Sequence, residues 1–158
     1  GQKLGGVMHP GNYSLLGVGV SFALSAKALN PDKNVILISG DGAFLSGGLS
    51  IETAFHEKLP ITVVIDTNGG LDCISQQQER LFANGKHFAT DFRDIPFHGL
   101  FEGLGGYGEL VERREDIVPA IKRAIASGKT ACVNVKCRGV ISPIVAATSD
   151  KRDKASIE

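Results

Sequence analysis

The chain has 158 residues, enough for one domain with a proper hydrophobic core. Its 17 basic and 17 acidic residues cancel, which argues against a nucleic-acid or membrane-surface protein held by bulk charge. No apolar run approaches the roughly 18 residues of a membrane span, and the opening residues do not read as a signal peptide.

The three cysteines, Cys73, Cys132 and Cys137, are odd in number and lack metal-type spacing, so they read as buried or idle thiols in a reduced cytoplasm. The 20 glycines cluster at expected strand ends and turns rather than in repeats. A start at Gly1 without methionine suggests a piece of a longer polypeptide.

Gly5 to Tyr13 reads as a loop punctuated by glycine and proline. Ser14 to Ala28 follows as a helix, with Asn12 or Ser14 as its cap. Its small apolar residues, among them Leu15, Leu16, Val18, Val20, Phe22 and Ala23, predict burial nearly all round. After the turn at Asn30–Lys33, Asn34 to Ile38 reads as a central parallel strand covered on both faces. Leu45 to Lys58 is the next helix, with Ser46 as a candidate cap, and Ile61 to Asp66 is a second central strand. Gly69 to Asn84 is polar, a loop with one short helix, and long loops at strand ends tend to carry function. Asp91 to Leu104 reads as a helix interrupted by Pro96, and Glu109 to Glu112 as a short strand. Glu115 to Ser127 is amphipathic, with Ile117, Ile121, Ala124 and Ile125 at helical spacing. Ala131 to Val135 is the last strand. The tail Val140 to Val145 is apolar and gives way to charge after Ser149.

Alternating strands and helices imply an α/β fold: a doubly wound open parallel sheet with helices on both faces. Such sheets bind ligands outside the carboxyl ends of their strands. Two polar clusters fall there, Ser39-Gly40-Asp41-Gly42-Ala43-Phe44 and Thr67-Asn68-Gly69-Gly70. Strands joined by a helical crossover are parallel, so both clusters emerge on one edge. Taken alone, Gly-Asp-Gly equally fits a plain turn. The spacing adds meaning, because Asn68 lies 27 residues after Asp41, about what a helix and a returning strand consume. A carboxylate, a carboxamide and glycine-bared amides suit a hard divalent cation holding a diphosphate.

On Gly40-Asp41-Gly42-Ala43-Phe44-Leu45, Ile51-Glu52-Thr53-Ala54, Leu59-Pro60 and Asn68, the sequence resembles the thiamine-diphosphate-dependent enzymes through their C-terminal, diphosphate-binding domain. Ser14-Leu15-Leu16-Gly17-Val18-Gly19 and Gln77-Gln78-Glu79-Arg80-Leu81-Phe82 extend the likeness to the acetolactate-synthase-like branch, over about residues 5 to 137. The resemblance implies a thiamine-diphosphate-binding fold with thiamine diphosphate and Mg²⁺ as cofactors. It assigns Asp41, Asn68 and the carbonyl of Gly70 to the metal. It assigns Gly40, Asp41, Gly42, Ala43, Asn68, Gly70 and Leu71 to the cofactor, with amides of Gly42 and Ala43 facing the diphosphate at a helix N-terminus. Leu16 would be the large apolar residue that props thiamine in its bent shape; a plain core leucine is the other reading.

The chain departs from the family pattern in places. Thr67 stands where a first asparagine is usual, and Gln77 where the synthases carry tryptophan. Met8 to Asn12 also differs; His9 or Asn12 could stand at the active-site rim, or His9 simply in a surface loop. His56, His87 and His98 have no partner spacing and read as solvated or capping. The family's catalytic glutamate comes from a separate pyrimidine-binding domain, of the same or a partner subunit, which these residues do not include.

Residues 1–137 are thus expected to form the diphosphate and metal domain. For the tail 138–158 an active-site lid, a dimer contact and a disordered end are the three readings. The implied whole is a cytoplasmic homodimer or homotetramer, with no nucleic-acid or membrane partner, acting on a 2-oxo acid by decarboxylation or carboligation. One alternative is a 2-hydroxyacyl-CoA lyase or oxalyl-CoA-decarboxylase-like enzyme with an acyl-CoA substrate; another is a non-catalytic α/β nucleotide-binding module.

Overall fold

The computed structural model describes residues 6–11, 15–82, 85–143 and 145–146. Four parallel strands form its sheet: β1 (Val35–Gly40), β2 (Ile61–Thr67), β3 (Tyr107–Val111) and β4 (Ala131–Lys136), in the order β1-β2-β4-β3. The helices are α1 (Val18–Leu29), α2 (Asp41–Gly47), α3 (Glu52–His56), α4 (Asp72–Leu81), α5 (Phe97–Gly103) and α6 (Ile117–Ala126). This is the doubly wound α/β arrangement expected from the alternation of apolar strands and amphipathic helices.

The two faces are built differently. One carries Ile61, Val63 and Ile65 of β2 and Cys132 of β4 beneath Val20 and Ala23 of α1, Phe44 of α2, Ile51, Ala54 of α3, and Phe97 and Phe101 of α5. The rings of Phe97 and Phe101 lie 5.5 and 6.0 Å from that of Phe44, and Phe55 meets Phe101 at 5.8 Å. The other face is aliphatic: Val64, Val111, Ala131, Val133 and Val135 packed under Ala120 and Ala124 of α6. The helical stripe of Ile117, Ile121 and Ala124 therefore faces the sheet, as its spacing predicts.

Several expectations are corrected. The expected caps Asn12 and Ser14 lie outside the described residues, and α1 begins only at Val18. Gly17 has φ +95°, a left-handed conformation that ends any helix preceding it and suits glycine. This helix is also not buried all round, since Phe22 and Leu29 are exposed. β1 is an edge strand: Val35 and Leu37 pack on the aromatic face, but Ile36 and Ile38 are 45% and 77% exposed. α6 covers β2, β4 and β3 and leaves that side of β1 open.

The single helix expected from Leu45 to Lys58 is three pieces. α2 begins at Asp41 directly after β1, a 3₁₀ turn spans Gly48–Ile51, and α3 follows. Ser46 is inside α2, its hydroxyl donating to the carbonyl of Gly42, so it is no cap. The break coincides with a close approach: a Cβ on Gly47 would lie 2.5 Å from the Gly17 carbonyl oxygen. Asp91 to Pro96 is not helical: Asp91 and Phe92 pair with the loop after β2. Only Phe97–Gly103 is helical there.

Beyond β4 the tail lies along α4. The side chain of Gln76 donates to the Val140 carbonyl at 2.8 Å and accepts the Ser142 amide at 2.9 Å. Arg80 donates to the Val145 carbonyl at 2.6 Å.

Candidate functional site

Parallel strands place Gly40, Thr67, Val111 and Lys136 on one edge of the sheet, and Asp41 and Asn68 follow the first two. Asp41 is the first residue of α2 and only 3% exposed. Its Oδ1 accepts the amide of Gly42 at 2.7 Å, and its Oδ2 accepts the amide of Gly69 at 2.9 Å. One carboxylate thus joins the loop after β1 to the loop after β2. Asn68 is exposed, and its Oδ1 accepts the Gly70 amide at 3.2 Å.

The loops also meet through packing. A Cβ on Gly42 would collide with the side chain of Leu71 and come within 3.3 Å of the Phe92 ring. The loop from Gly69 to Leu71 is in turn stapled by the segment 90–92. Leu71 donates its amide to the Thr90 carbonyl at 2.8 Å, and Phe92 donates to the Gly69 carbonyl at 2.7 Å. Gly70 pairs with Asp91, so closely that a Cβ would lie 2.5 Å from the Thr90 carbonyl oxygen.

The edge is acidic. Among the described residues no cationic side chain forms an ion pair with Asp41. At the end of β2 the carboxyl of Asp66 is raised above the usual value, by partial burial and then by the Asp41 charge. The Cys137 thiol is raised as well, chiefly by burial and then by Asp66 and Asp41. A buried carboxylate without a counter-charge, bound to the Gly69 amide that lies between Asn68 and Gly70 in the chain, makes with that carboxamide and the glycine carbonyls a donor set of hard oxygens that fits Mg²⁺. The hydroxyl of Thr90, on the segment against Gly70, is the one buried side-chain oxygen or nitrogen without a hydrogen-bond partner among the described residues. The residues present therefore fit a cation and an oxygen-rich ligand.

The other expected site residues are placed as follows. Gly40 ends β1 at the same edge, and the amide of Gly42 is engaged with Asp41, leaving Ala43 as the next amide along α2. Leu16 is 53% exposed, in the turn before α1 that abuts the end of α2, and so is no core leucine. His9 is exposed and accepts the Gly11 amide at 2.9 Å; Asn12 lies outside the described residues. Gln77 turns its amide toward the sulfur of Cys73 at 3.8 Å.

His87 corrects its expectation. Its Nδ1 is 3.0 Å from Asp91 and its Nε2 is 2.7 Å from Glu79, so it bridges α4 to the stapling segment. These carboxylates, Asp91 first, raise its pKa above the ordinary histidine value. The i, i+4 relation to Asp91 is visible in the sequence but informative only once residues 85–92 are known to fold back on α4. On that same turn of chain Gln78 accepts the Phe88 amide at 2.7 Å and donates to its carbonyl at 3.1 Å.

The reading from sequence also passed over Asn134, which is 0% exposed in the middle of β4. A carboxamide within an otherwise apolar run of a covered strand must find partners. That was the available signal.

Residues 2–135 match the sequence profile of the family described as thiamine pyrophosphate enzyme, C-terminal TPP binding domain. Among curated proteins, a probable acetolactate synthase of Mycobacterium bovis is 35% identical over 129 residues, covering 81% of this chain and 23% of that protein. An acetolactate synthase large subunit of Corynebacterium glutamicum is 37% identical over 122 residues, 74% of this chain and 19% of that protein. A 2-hydroxyacyl-CoA lyase 2 of Bos taurus is 34% identical over 117 residues, 73% of this chain and 18% of that protein. The chain thus spans about a quarter or less of the length of these relatives. With its parallel α/β sheet and the Asp41–Asn68 edge in the matched region, the chain belongs to the thiamine pyrophosphate enzyme family, as its C-terminal TPP-binding domain.

Proposed function

We propose that this domain holds the diphosphate and metal end of thiamine diphosphate in an enzyme that makes or breaks C–C bonds beside a carbonyl, acting on 2-oxo acids in the manner of an acetolactate synthase. The observation that carries the reading is the carboxylate of Asp41, buried without a cation and bound by amides of both loops. Asp41, the side-chain oxygen of Asn68 and the Gly70 carbonyl would hold Mg²⁺. Gly40, Gly42, Ala43 and Leu71 would line the diphosphate and Leu16 the thiamine. When bound, the cofactor supplies an electron sink for the bond next to the carbonyl. The residues here bind and orient; Leu71 and Phe92 pack against Gly42 between the two loops.

The catalytic glutamate belongs, on this reading, to a pyrimidine-binding domain of the same or a partner subunit in a homodimer or homotetramer. Three free cysteines suit a reducing cytoplasm. The tail, tied to α4 by Gln76 and Arg80, is read as a cover over that side of the site.

A second reading, a 2-hydroxyacyl-CoA lyase or a relative of oxalyl-CoA decarboxylase, is supported by the bovine lyase, nearly as similar as the mycobacterial synthase. Incubating the full-length protein, thiamine diphosphate and Mg²⁺ with pyruvate or with a 2-hydroxyacyl-CoA separates the two. Acetolactate or CO₂ released from pyruvate supports the first; aldehyde released from the acyl-CoA alone supports the second. Turnover of neither contradicts both.

A further inference from the structure

We infer that Thr67 and Asn134 are positioning residues for the metal half of the site, a reading that rests on the cofactor role proposed above. β2 and β4 run parallel, with Ile65 opposite Asn134 and Thr67 opposite Lys136. Strand alternation puts Ile65, Thr67, Cys132 and Asn134 on the aromatic face, under α5. There the Thr67 hydroxyl donates to Oδ1 of Asn134, and both side chains are buried. The Asn134 amide reaches Nδ1 of His98 on α5 at 3.4 Å. His98 is itself pinned, since β3 passes so close that only glycine fits at Gly108 against its carbonyl. The Thr67 carbonyl accepts the Cys137 amide at 2.9 Å.

Thr67 is therefore gripped at its side chain and its backbone, one residue before the carboxamide assigned to the metal. A hydroxyl committed inward fixes the direction of Thr67, and the next residue, Asn68, is exposed. The exit of β2 is thereby held so that the Gly69 amide meets Asp41, with Asn68 next to it in the chain. This also gives a physical role to threonine at the position where the family pattern has another asparagine. A hydrophobic residue there would leave Asn134 with an unmet acceptor in a dry interior.

The test uses full-length protein, with calorimetric titration of thiamine diphosphate at fixed Mg²⁺ and, separately, hydrogen exchange of the segment 66–71 without cofactor. Thr67→Val keeps the shape and removes the donor; Asn134→Leu removes both bonds; Thr67→Ser keeps the hydroxyl. The first two should weaken cofactor binding about tenfold, the lower end for residues that orient a metal ligand. They should also speed exchange of 66–71, while Thr67→Ser stays within about twofold of the parent. Unchanged affinity and exchange in Thr67→Val overturn the inference, as does equal damage in Thr67→Ser. Thr67→Val decides the matter alone if Asn134→Leu fails to fold. If the parent binds no cofactor, the proposed function fails, and the exchange measurement still judges whether Thr67 and Asn134 hold the loop.

Discussion

The two halves of the clamp are held in different ways. Asp41 is buried and is part of its helix, which Phe44, three residues on, anchors in the aromatic cluster. Asn68 and Gly70 stand outside any strand or helix and depend on neighbours: the Thr90–Phe92 segment on one side and the Thr67–Asn134 contact on the other. One half is positioned by local structure and the core, the other by long-range contacts. Substitutions near Asp41 should therefore cost global stability or abolish binding, whereas those around Asn68 should loosen binding in an intact fold.

Phe44→Ala breaks the first half from beneath. Removing a buried ring that packs on two others should cost about 3–5 kcal/mol in chemical denaturation. A loss below about 1 kcal/mol would mean that the helix carrying Asp41 does not rely on the aromatic core. Asp41→Ala should leave the fold intact but weaken thiamine diphosphate binding at least about a hundredfold, roughly 2.7 kcal/mol. Gly70→Ala attacks the second half, since its Cβ would meet the Thr90 carbonyl oxygen at 2.5 Å. The loop must then part from residues 90–92, and calorimetry should show affinity falling about tenfold, roughly 1.4 kcal/mol. Affinity within twofold of the parent would show the stapling to be dispensable.

The smallest effect is expected at His87. Its pKa is raised by Asp91 and Glu79, so protonated His87 binds these carboxylates more tightly in the folded state. That contribution is fully present below the ordinary histidine value of about 6.5 and fades as pH rises through the elevated one. The melting temperature of the parent should exceed that of His87→Gln at pH 6, with the gap narrowing by pH 8. A gap independent of pH would assign His87 a packing role only.

What could be read in advance follows the same division. The apolar runs of β2 and β4 and the spacing of α6 announced the sheet, and Gly-Asp-Gly with Asn68 announced the edge where the site lies. These are local patterns. Three things were not local. The exposed side of β1 depends on how far α6 reaches across the sheet, which no residue of β1 encodes. The composition of Asp91 to Pro96 fits a helix, whereas pairing of Asp91 and Phe92 with the loop after β2 draws its start away from one. Asn134 and His87 acquire meaning only from partners elsewhere in the chain, Thr67 in β2 and Glu79 in α4. Asn68 itself was legible, but the long-range contacts that hold its half of the site were not.

The central claim is that Asp41 and Asn68 act on one cation. It is tested most directly by a double-mutant cycle in the full-length protein. Thiamine diphosphate is titrated in Mg²⁺ and in EDTA for the parent, Asp41→Ala, Asn68→Ala and the double variant. If both residues hold the same ion, each single variant loses the gain in affinity that Mg²⁺ gives the parent, and the double variant binds no worse than the weaker single. Losses that add, with the Mg²⁺ effect intact in either single variant, would contradict the account.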